Sequence, residues 1–393
     1  MNKKLLALAV AATSVSASAL ADDSTVTLYG TLNADFENVK AEGCQSANCV
    51  DVKQRNRVSS NSSNIGFRGL EPLGEGLNAW FQVESSVPLD GSGGGGLWSS
   101  RNSAVGLNGS FGSILLGQWD SPYKSSTVRL DPFGDTTIAA YTDILGGNTA
   151  NTVGNTGLSF DRRMRNTVQY WTPNWAGFSG RIAYGANEEK PPGGTSNPTS
   201  YAGSASYDNG PLYVTLAYES HKDFGIFNPV LAPQGTDNAL KVGASYTIAN
   251  VFTVAGIYEQ IKYKTDKQLT PTSINERKFH DWWTSATYKL AANAFSLGYG
   301  QREEYKDNGA ELANSEAKFY SARYGYNFSK RTEFYAFYVR IENNAASRND
   351  FVVGVNPLGA DGNGAGAPAA GFPSALPAGA DPQGVGVGFI HKF

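Results

Sequence analysis

Hydrophobic and polar side chains alternate along many short segments of this sequence. In the first of these segments, Val26, Leu28, Leu32, Ala34 and Phe36 share one phase, whereas threonine, asparagine and acidic residues occupy the other. The same alternation recurs at residues 77–84, 178–184, 212–219 and 384–393. A period of two is typical of β-strands. One such segment could belong to a soluble sandwich, but many in succession favour a membrane barrel with a lipid-facing and a lumen-facing side.

Turn signals between these segments allow the strands to be counted. Seven short clusters, most of them containing Gly, Pro, Asn or Asp, lie at 71–76, 108–112, 173–177, 208–211, 248–251, 290–294 and 328–331. Eight longer polar stretches lie near 39–56, 88–99, 120–159, 188–199, 221–237, 263–278, 304–316 and 344–382. Short turns that alternate with long loops predict an all-β fold, a 16-stranded antiparallel barrel with both termini on the periplasmic side.

The N-terminal residues predict an export signal. Two lysines, at positions 3 and 4, precede an apolar run that ends at Ala12, and small residues at Ala19 and Ala21 suit a signal peptidase. The apolar run is too short to span ~30 Å of hydrocarbon as an anchoring helix. We therefore expect removal of residues 1–21, Sec-type export and one barrel domain over residues 22–393 in the outer membrane of a Gram-negative cell.

The composition supports a barrel with a polar interior. The chain contains 45 Gly, 20 Tyr and 20 Phe, yet its mean hydropathy is −0.33. No run of about 18 apolar residues is available for a membrane helix. Aromatic residues are frequent and long aliphatic runs are scarce, which differs from an ordinary soluble domain of this length.

Charge and candidate chemistry do not indicate an enzyme. The net charge is −3 and no basic stripe indicates nucleic acid. The three histidines, His221, His280 and His391, are scattered, so no catalytic, cofactor or metal site is predicted. Cys44 and Cys49 lie in a polar stretch, where a loop disulfide is favoured over free thiols after secretion.

Several stretches resemble the Gram-negative general porins, in particular the beta-proteobacterial and neisserial branch. They sample the whole mature chain: 26–30 (VTLYG), 65–69 (IGFRG), 76–84 (GLNAWFQVE), 105–107 (VGL), 165–170 (RNTVQY) and 391–393 (HKF). The resemblance implies a homotrimer of 16-stranded barrels, each narrowed by an inward-folded third loop. It also implies lipid and lipopolysaccharide as neighbours, with small hydrophilic solutes and inorganic ions as cargo.

The third long loop is the candidate constriction. It carries the acidic residues Asp120, Asp131 and Asp135, and the stretch 130–134 (LDPFG) is similar to the tip of the family's constriction loop. Charges at the narrowest point of a channel control its selectivity. An ordinary surface loop is the alternative interpretation.

A basic wall is expected to face that loop. The phase of the strand makes Val168 and Tyr170 lipid-facing, so Arg163 and Arg165 are expected to point into the lumen. Arg68 shares the lumen phase of its strand, and Arg101 matches the family's lumen-facing arginine just before the stretch 105–107. Asn64 departs from the family, in which many members carry arginine there, so the positive wall should be weaker.

The expected function is passive, size-limited diffusion of ions and small hydrophilic solutes through a water-filled channel. Two alternatives remain open: an outer-membrane hydrolase in a barrel, and a substrate-specific channel or adhesin that uses its loops. Ion preference cannot follow from net charge, because only charges at the constriction act strongly on a passing ion.

Overall fold

A computed structural model describes most of the predicted barrel domain. It covers residues 25–45, 51–91, 98–133, 137–147, 159–186, 197–224, 234–351, 358 and 376–393. The expected signal peptide lies outside the described residues. Among the described residues, no helix is both long and apolar enough to cross a membrane.

The described strands form one antiparallel sheet in which chain neighbours pair. Their bounds are β1 Thr25–Glu42, β2 Val52–Ser60, β3 Asn64–Gly74, β4 Leu77–Ser86, β5 Ser103–Gly109, β6 Gly112–Asp120, β7 Arg163–Trp171, β8 Phe178–Gly185, β9 Thr199–Asn209, β10 Leu212–Lys222, β11 Thr236–Ile248, β12 Phe252–Lys264, β13 Glu276–Leu290, β14 Asn293–Arg302, β15 Lys306–Asp307, β16 Ala310–Glu311, β17 Ala317–Asn327, β18 Thr332–Asn343 and β19 Asp381–Lys392. Both β2 and β3 pair with β1 and form one interrupted barrel strand, while β15 and β16 form a small hairpin within a loop. The barrel therefore has 16 strands, as predicted.

The barrel closes between its first and last strands. β1 pairs with β19 from Thr31 opposite Lys392 to Glu42 opposite Asp381. Beyond this ladder, the backbone amide of Phe393 donates to the Gly30 carbonyl at 3.1 Å. The Phe393 ring covers Gly30 so closely that a Cβ atom there would lie 2.4 Å from the ring. The absence of a side chain at Gly30 therefore allows the terminal ring to seal the seam.

All seven predicted short turns are confirmed as hairpin connections. Glu75, Asn250 and Ala291 lie in these turns with φ values of 52°, 59° and 53°. Such left-handed conformations give the backbone twist that matches the right-handed twist of the flanking strands. The eight predicted long loops alternate with these turns, so the two edges of the barrel differ strongly.

The predicted alternation of faces is confirmed in β1. The Phe36 side chain is 53% exposed on the outer surface, whereas its neighbour Asp35 is 3% exposed on the inside. The same pattern holds in β10, where Leu216 is exposed and Thr215 is buried. An apolar outer belt and a polar inner face are what a lipid bilayer and a water channel require.

An apolar core lies inside the barrel, where the third loop meets the wall. Phe133, Ile138 and Ile144 of this loop are buried together with Trp283 of β13 and Tyr335 of β18. Alternation along the strands does not predict this core, because it depends on where the loop folds.

Candidate functional site

The third loop folds into the barrel rather than away from it. After β6 it forms helix α1 (Pro122–Thr127), which begins at Ser121, whose hydroxyl accepts a hydrogen bond from the Lys124 amide at 3.1 Å. Serine before a proline is a typical helix start, because the hydroxyl satisfies a free amide and proline lacks one. The loop therefore enters the lumen as a short rigid segment.

Contacts with the wall show the course of the loop. The Tyr213 hydroxyl on β10 donates to the Ser126 carbonyl at 2.6 Å. Farther along, Leu130 packs on Gly243 of β11, and Ile138 reaches Gly384 of β19. The loop thus covers the inner wall from β9 to β14 and extends towards the barrel seam. We infer that the opening lies on the side of the barrel that these contacts leave uncovered.

A buried ionic cluster fixes the base of the loop. The Lys241 ammonium lies 2.6 Å from Asp161 and 3.6 Å from Glu259. Glu259 also accepts hydrogen bonds from the Tyr123 hydroxyl at 2.9 Å and from the Gly146 amide. The side chains of Lys241, Asp161 and Glu259 have no exposed surface. Charges buried in this way are stable only while they remain paired, so the cluster holds both ends of the loop on β11 and β12.

Tyr123 remains a hydrogen-bond donor in this cluster. Burial raises the pKa of its hydroxyl well above the usual value, and the nearby Glu259 carboxylate acts in the same direction. The hydroxyl is therefore protonated at all physiological pH values.

A second buried cluster fixes the middle of the loop. The Arg302 guanidinium binds Asp281 through two nitrogen atoms, at 3.0 and 2.8 Å. It also donates to the Ile144 carbonyl of the third loop and, at 2.6 Å, to the Asn349 side chain of the eighth loop. One arginine thus joins the barrel wall, the constriction loop and an extracellular loop.

Two of the predicted basic residues lie on the wall that faces the loop. The Arg101 guanidinium forms an ion pair with Glu84 at 2.6 Å, and Glu84 also accepts a hydrogen bond from Tyr29 at 2.9 Å. The Arg68 guanidinium lies 5.1 Å from the centre of the Tyr29 ring. Within the chain that the structure describes, Arg68 forms no ion pair, so its charge is the less compensated of the two.

Arg163 and Asp120, which were expected on opposite sides of the constriction, are paired with each other. They face one another in the β6–β7 register, and their charged atoms lie 3.4 Å apart. Asn102 accepts a hydrogen bond from Arg163 at 2.7 Å. The two residues flank the third loop at its start and end, so the antiparallel pairing of β6 with β7 brings them together.

A β-bulge changes the placement of Arg165. The β6–β7 register shifts between Gly117 and Trp119, and Asn166 has a φ of 47°. Arg165 borders a depression with Leu116 and Val168, which are exposed on the outer face. The unbroken alternation that directed Arg165 into the lumen therefore does not extend across the bulge.

Asp131 and Asp143 are the acidic residues of the loop interior that the structure describes. The two Asp131 carboxylate oxygens accept hydrogen bonds from the Phe133 amide at 2.9 Å and the Tyr141 amide at 3.1 Å. Asp143 is fully buried. Asp135 lies outside the described residues, and its role stays a prediction.

Cys44 is disulfide-bonded. Cys49, the other cysteine of the sequence, lies outside the described residues, so the pairing of these two stays a prediction. In the described part of the chain, no group of three or more His, Cys, Asp and Glu side chains could hold a metal ion.

The charged residues that fix the loop were missed by sequence reasoning. Lys241, Glu259, Asp281 and Arg302 each lie within a strand, and Lys241 stands between Leu240 and Val242. Their place in the lumen phase of β11 to β14 was the one signal in the sequence that they lie inside the barrel. Their partners on the third loop are far away in sequence, so the pairing itself could not be inferred.

A closed 16-stranded barrel with an inward-folded loop and a charged lumen defines a diffusion channel of the outer membrane. The chain belongs to the Gram-negative porin family, whose sequence pattern matches residues 7–346. It is 29% identical to outer membrane porin protein 32 of Delftia acidovorans, with all of both chains aligned. It is 33% identical to the major outer membrane protein P.IB of Neisseria meningitidis serogroup B, over 56% of this chain and 60% of that protein.

Solved structures agree with this assignment. The anion-selective porin from Comamonas acidovorans superposes with a TM-score of 0.74 at 26% identity, covering 94% of this chain and all of that one. OmpT of Vibrio cholerae has a TM-score of 0.62 at 17% identity, covering 95% of this chain and 98% of that one, and shares the fold. The chain is thus an outer-membrane porin for passive diffusion, as predicted.

Proposed function

We propose that the constriction of this porin is charged and favours anions over cations. The proposal rests on one observation, the unequal pairing of acids and bases around the opening. Arg68 and Arg181 on the wall have no acidic partner among the described residues, whereas Asp131 is bound by backbone amides and Asp161 by Lys241. Two guanidinium charges of the wall therefore lack an acidic partner in the described chain, and this supports a positive potential at the opening.

The size of the effect suits a filter rather than a binding site. Two unit charges ~8 Å apart interact by about 2 kcal/mol at an effective dielectric constant of 20, and by less across water. Salt weakens the interaction further. The similar solved porin that is described as anion-selective supports the same direction.

The reversal potential in a potassium chloride gradient tests this proposal. The current through the native protein should reverse near the equilibrium potential of chloride. Arg68→Gln should move this reversal potential towards zero. Arg331→Gln is the matched control, because Arg331 lies exposed in the last periplasmic turn. A native reversal potential towards the equilibrium potential of potassium, or equal shifts of the reversal potential in both variants, would contradict the proposal.

We also propose that the working form is a homotrimer. The outer face of β1 and β3 to β6 carries an apolar depression of about 530 Å³, lined among others by Val26, Phe81 and Val105. A concave apolar surface fits a neighbouring barrel, and lipid and lipopolysaccharide would cover the rest of the outer wall. On a gel of unheated samples, Val105→Arg should migrate as a monomer. Leu216→Arg, on another part of the outer wall, should still migrate as a trimer.

We further propose that this chain has no enzymatic activity. His221 contacts Glu219 at 2.7 Å, but both side chains have no exposed surface, so a substrate cannot reach this pair. His280 is hydrogen-bonded to the Tyr258 hydroxyl, and His391 is hydrogen-bonded to the Thr332 hydroxyl. Hydrolysis of phospholipid or ester substrates by the pure protein, lost in His221→Gln, would contradict this proposal.

A further inference from the structure

Three tryptophan side chains meet on the inner wall below the third loop. Trp80 lies on β4, Trp119 on β6 and Trp171 on β7. The ring centres are 5.7 Å apart for Trp80 and Trp119, 5.4 Å for Trp119 and Trp171, and 6.1 Å for Trp80 and Trp171. The cluster extends from the periplasmic turns to the start of the constriction loop.

The indole rings belong to the lumen side of the wall. Trp80 alternates with Phe81, which is exposed on the outer face, and its ring nitrogen donates to Ser113 at 3.1 Å. The ring nitrogen of Trp171 donates to Gln169, which is buried inside the barrel. All three tryptophans share the inward phase of their strands.

These rings are only partly covered by the described residues. Trp283 on the opposite wall is 1% exposed, because the third loop packs on it. Trp80, Trp119 and Trp171 each remain partly exposed. Uncovered aromatic surface next to water is a common mark of a ligand site, since a flat solute can bury it.

A cation lies at the edge of the cluster. Arg181 is opposite Trp171 in the β7–β8 register, and its guanidinium carbon is 4.8 Å from the Trp171 ring centre. Arginine presents paired donors that match a carboxylate, and it stacks well on aromatic faces. The cluster therefore combines flat apolar surface with a donor for an anion.

Comparison with other arginines of the barrel indicates what is missing at Arg181. Seven arginines among the described residues stack on aromatic rings: Arg68, Arg129, Arg162, Arg181, Arg277, Arg302 and Arg323. Five of them also pair with a carboxylate of the protein, as Arg129 does with Asp208. In the described chain, Arg68 and Arg181 have no such partner, and only Arg181 adjoins a tryptophan cluster.

We propose that Trp80, Trp119, Trp171 and Arg181 form a solute subsite for aromatic carboxylates on the periplasmic side of the constriction. The ring of the solute stacks on the indoles and its carboxylate takes the place that Asp208 fills at Arg129. The subsite rests on the proposed anion preference of the pore, because the solute must first pass the constriction. Binding is weak, with half-saturation near the millimolar range, since a conducting site must also release its solute.

Benzoate block of single-channel chloride current tests the subsite, with acetate and cyclohexanecarboxylate as comparison anions. We expect saturable block by benzoate only, because acetate has no ring and cyclohexanecarboxylate has no flat one. Trp171→Leu and Arg181→Gln should each weaken the block about tenfold, in line with the strength of stacking and charge-assisted contacts. If one of these two variants fails to fold, the other still tests the subsite.

Matched controls complete the experiment. Trp175→Leu removes an exposed tryptophan of the nearby turn, and Arg331→Gln removes an exposed periplasmic charge. Both should retain native block. Equal block in all variants, or equal block by benzoate and cyclohexanecarboxylate, would overturn the subsite. Trp171-dependent block in a pore without chloride preference would sustain the subsite and refute the anion preference instead.

Discussion

The Lys241 ammonium on β11 lies 2.6 Å from the Asp161 carboxylate at the end of the third loop, and both side chains are completely buried. This ion pair joins the barrel wall to the loop that narrows the channel. Together with Arg302 on β14 it makes the constriction part of the folded core rather than a mobile surface loop.

Loss of the Lys241 charge should release the base of the loop. Lys241→Met leaves Asp161 and Glu259 buried without their cation, which typically costs about 3–5 kcal/mol. We expect a lower heat-denaturation temperature and noisier single-channel currents. Lys289→Met removes an exposed lysine of β13 and should change neither. Quiet currents and native stability in Lys241→Met would show that the ion pair does not hold the loop.

Arg302 should control how firmly the middle of the loop is held. Arg302→Lys keeps the charge near Asp281 but cannot reach Asp281, Ile144 and Asn349 together, because an ammonium lacks the planar fork. We expect channel closure at lower applied voltage than in the native protein. The exposed Arg331→Lys serves as the control. An unchanged closure voltage in Arg302→Lys would be inconsistent with this role.

Tyr123 should make the loop sensitive to alkali. Its pKa is raised above 10.0 in the folded state, so its contribution to stability is complete below pH 10.0 and is lost as the pH rises through the folded-state value. Tyr123→Phe removes the donor to Glu259, at a cost of about 1–3 kcal/mol. Thermal unfolding at pH 8 and pH 11 should show a difference between the two proteins that shrinks at pH 11. A constant difference would refute this assignment.

Cysteine labelling should distinguish side chains that face the lumen from side chains that face the outside of the barrel. In Arg68→Cys, a charged thiol reagent should reduce the single-channel current, because the side chain faces the lumen. In Arg165→Cys, beyond the bulge, the same reagent should leave the current unchanged. A reduced current in Arg165→Cys would restore the placement that simple alternation gives.

The architecture could be predicted because it depends on local signals. Alternation in segments such as β1 and turn residues such as Asn250 each act over a few positions, and together they determined strand number and direction. The side of Arg165 could not be predicted, because one extra residue at a bulge reverses the phase of everything before it.

The constriction was predicted only in outline for a related reason. The third loop was recognised by its length, its position and its resemblance to a family. Its anchors pair residues from distant strands, such as Arg302 with the Ile144 carbonyl, and nothing in the local sequence of either residue indicates the other. Asp131 was expected at the constriction; two backbone amides of its own loop bind its carboxylate, and the effect of its charge on the pore stays a prediction.

The central claim, a passive diffusion pore narrowed by a fixed loop, is tested most directly by swelling of liposomes that contain the pure protein. Through such a pore, small sugars should enter at rates that fall steadily with molecular size, without saturation and equally for D and L isomers. Absence of swelling with well-folded protein, or saturable uptake of one isomer, would contradict it.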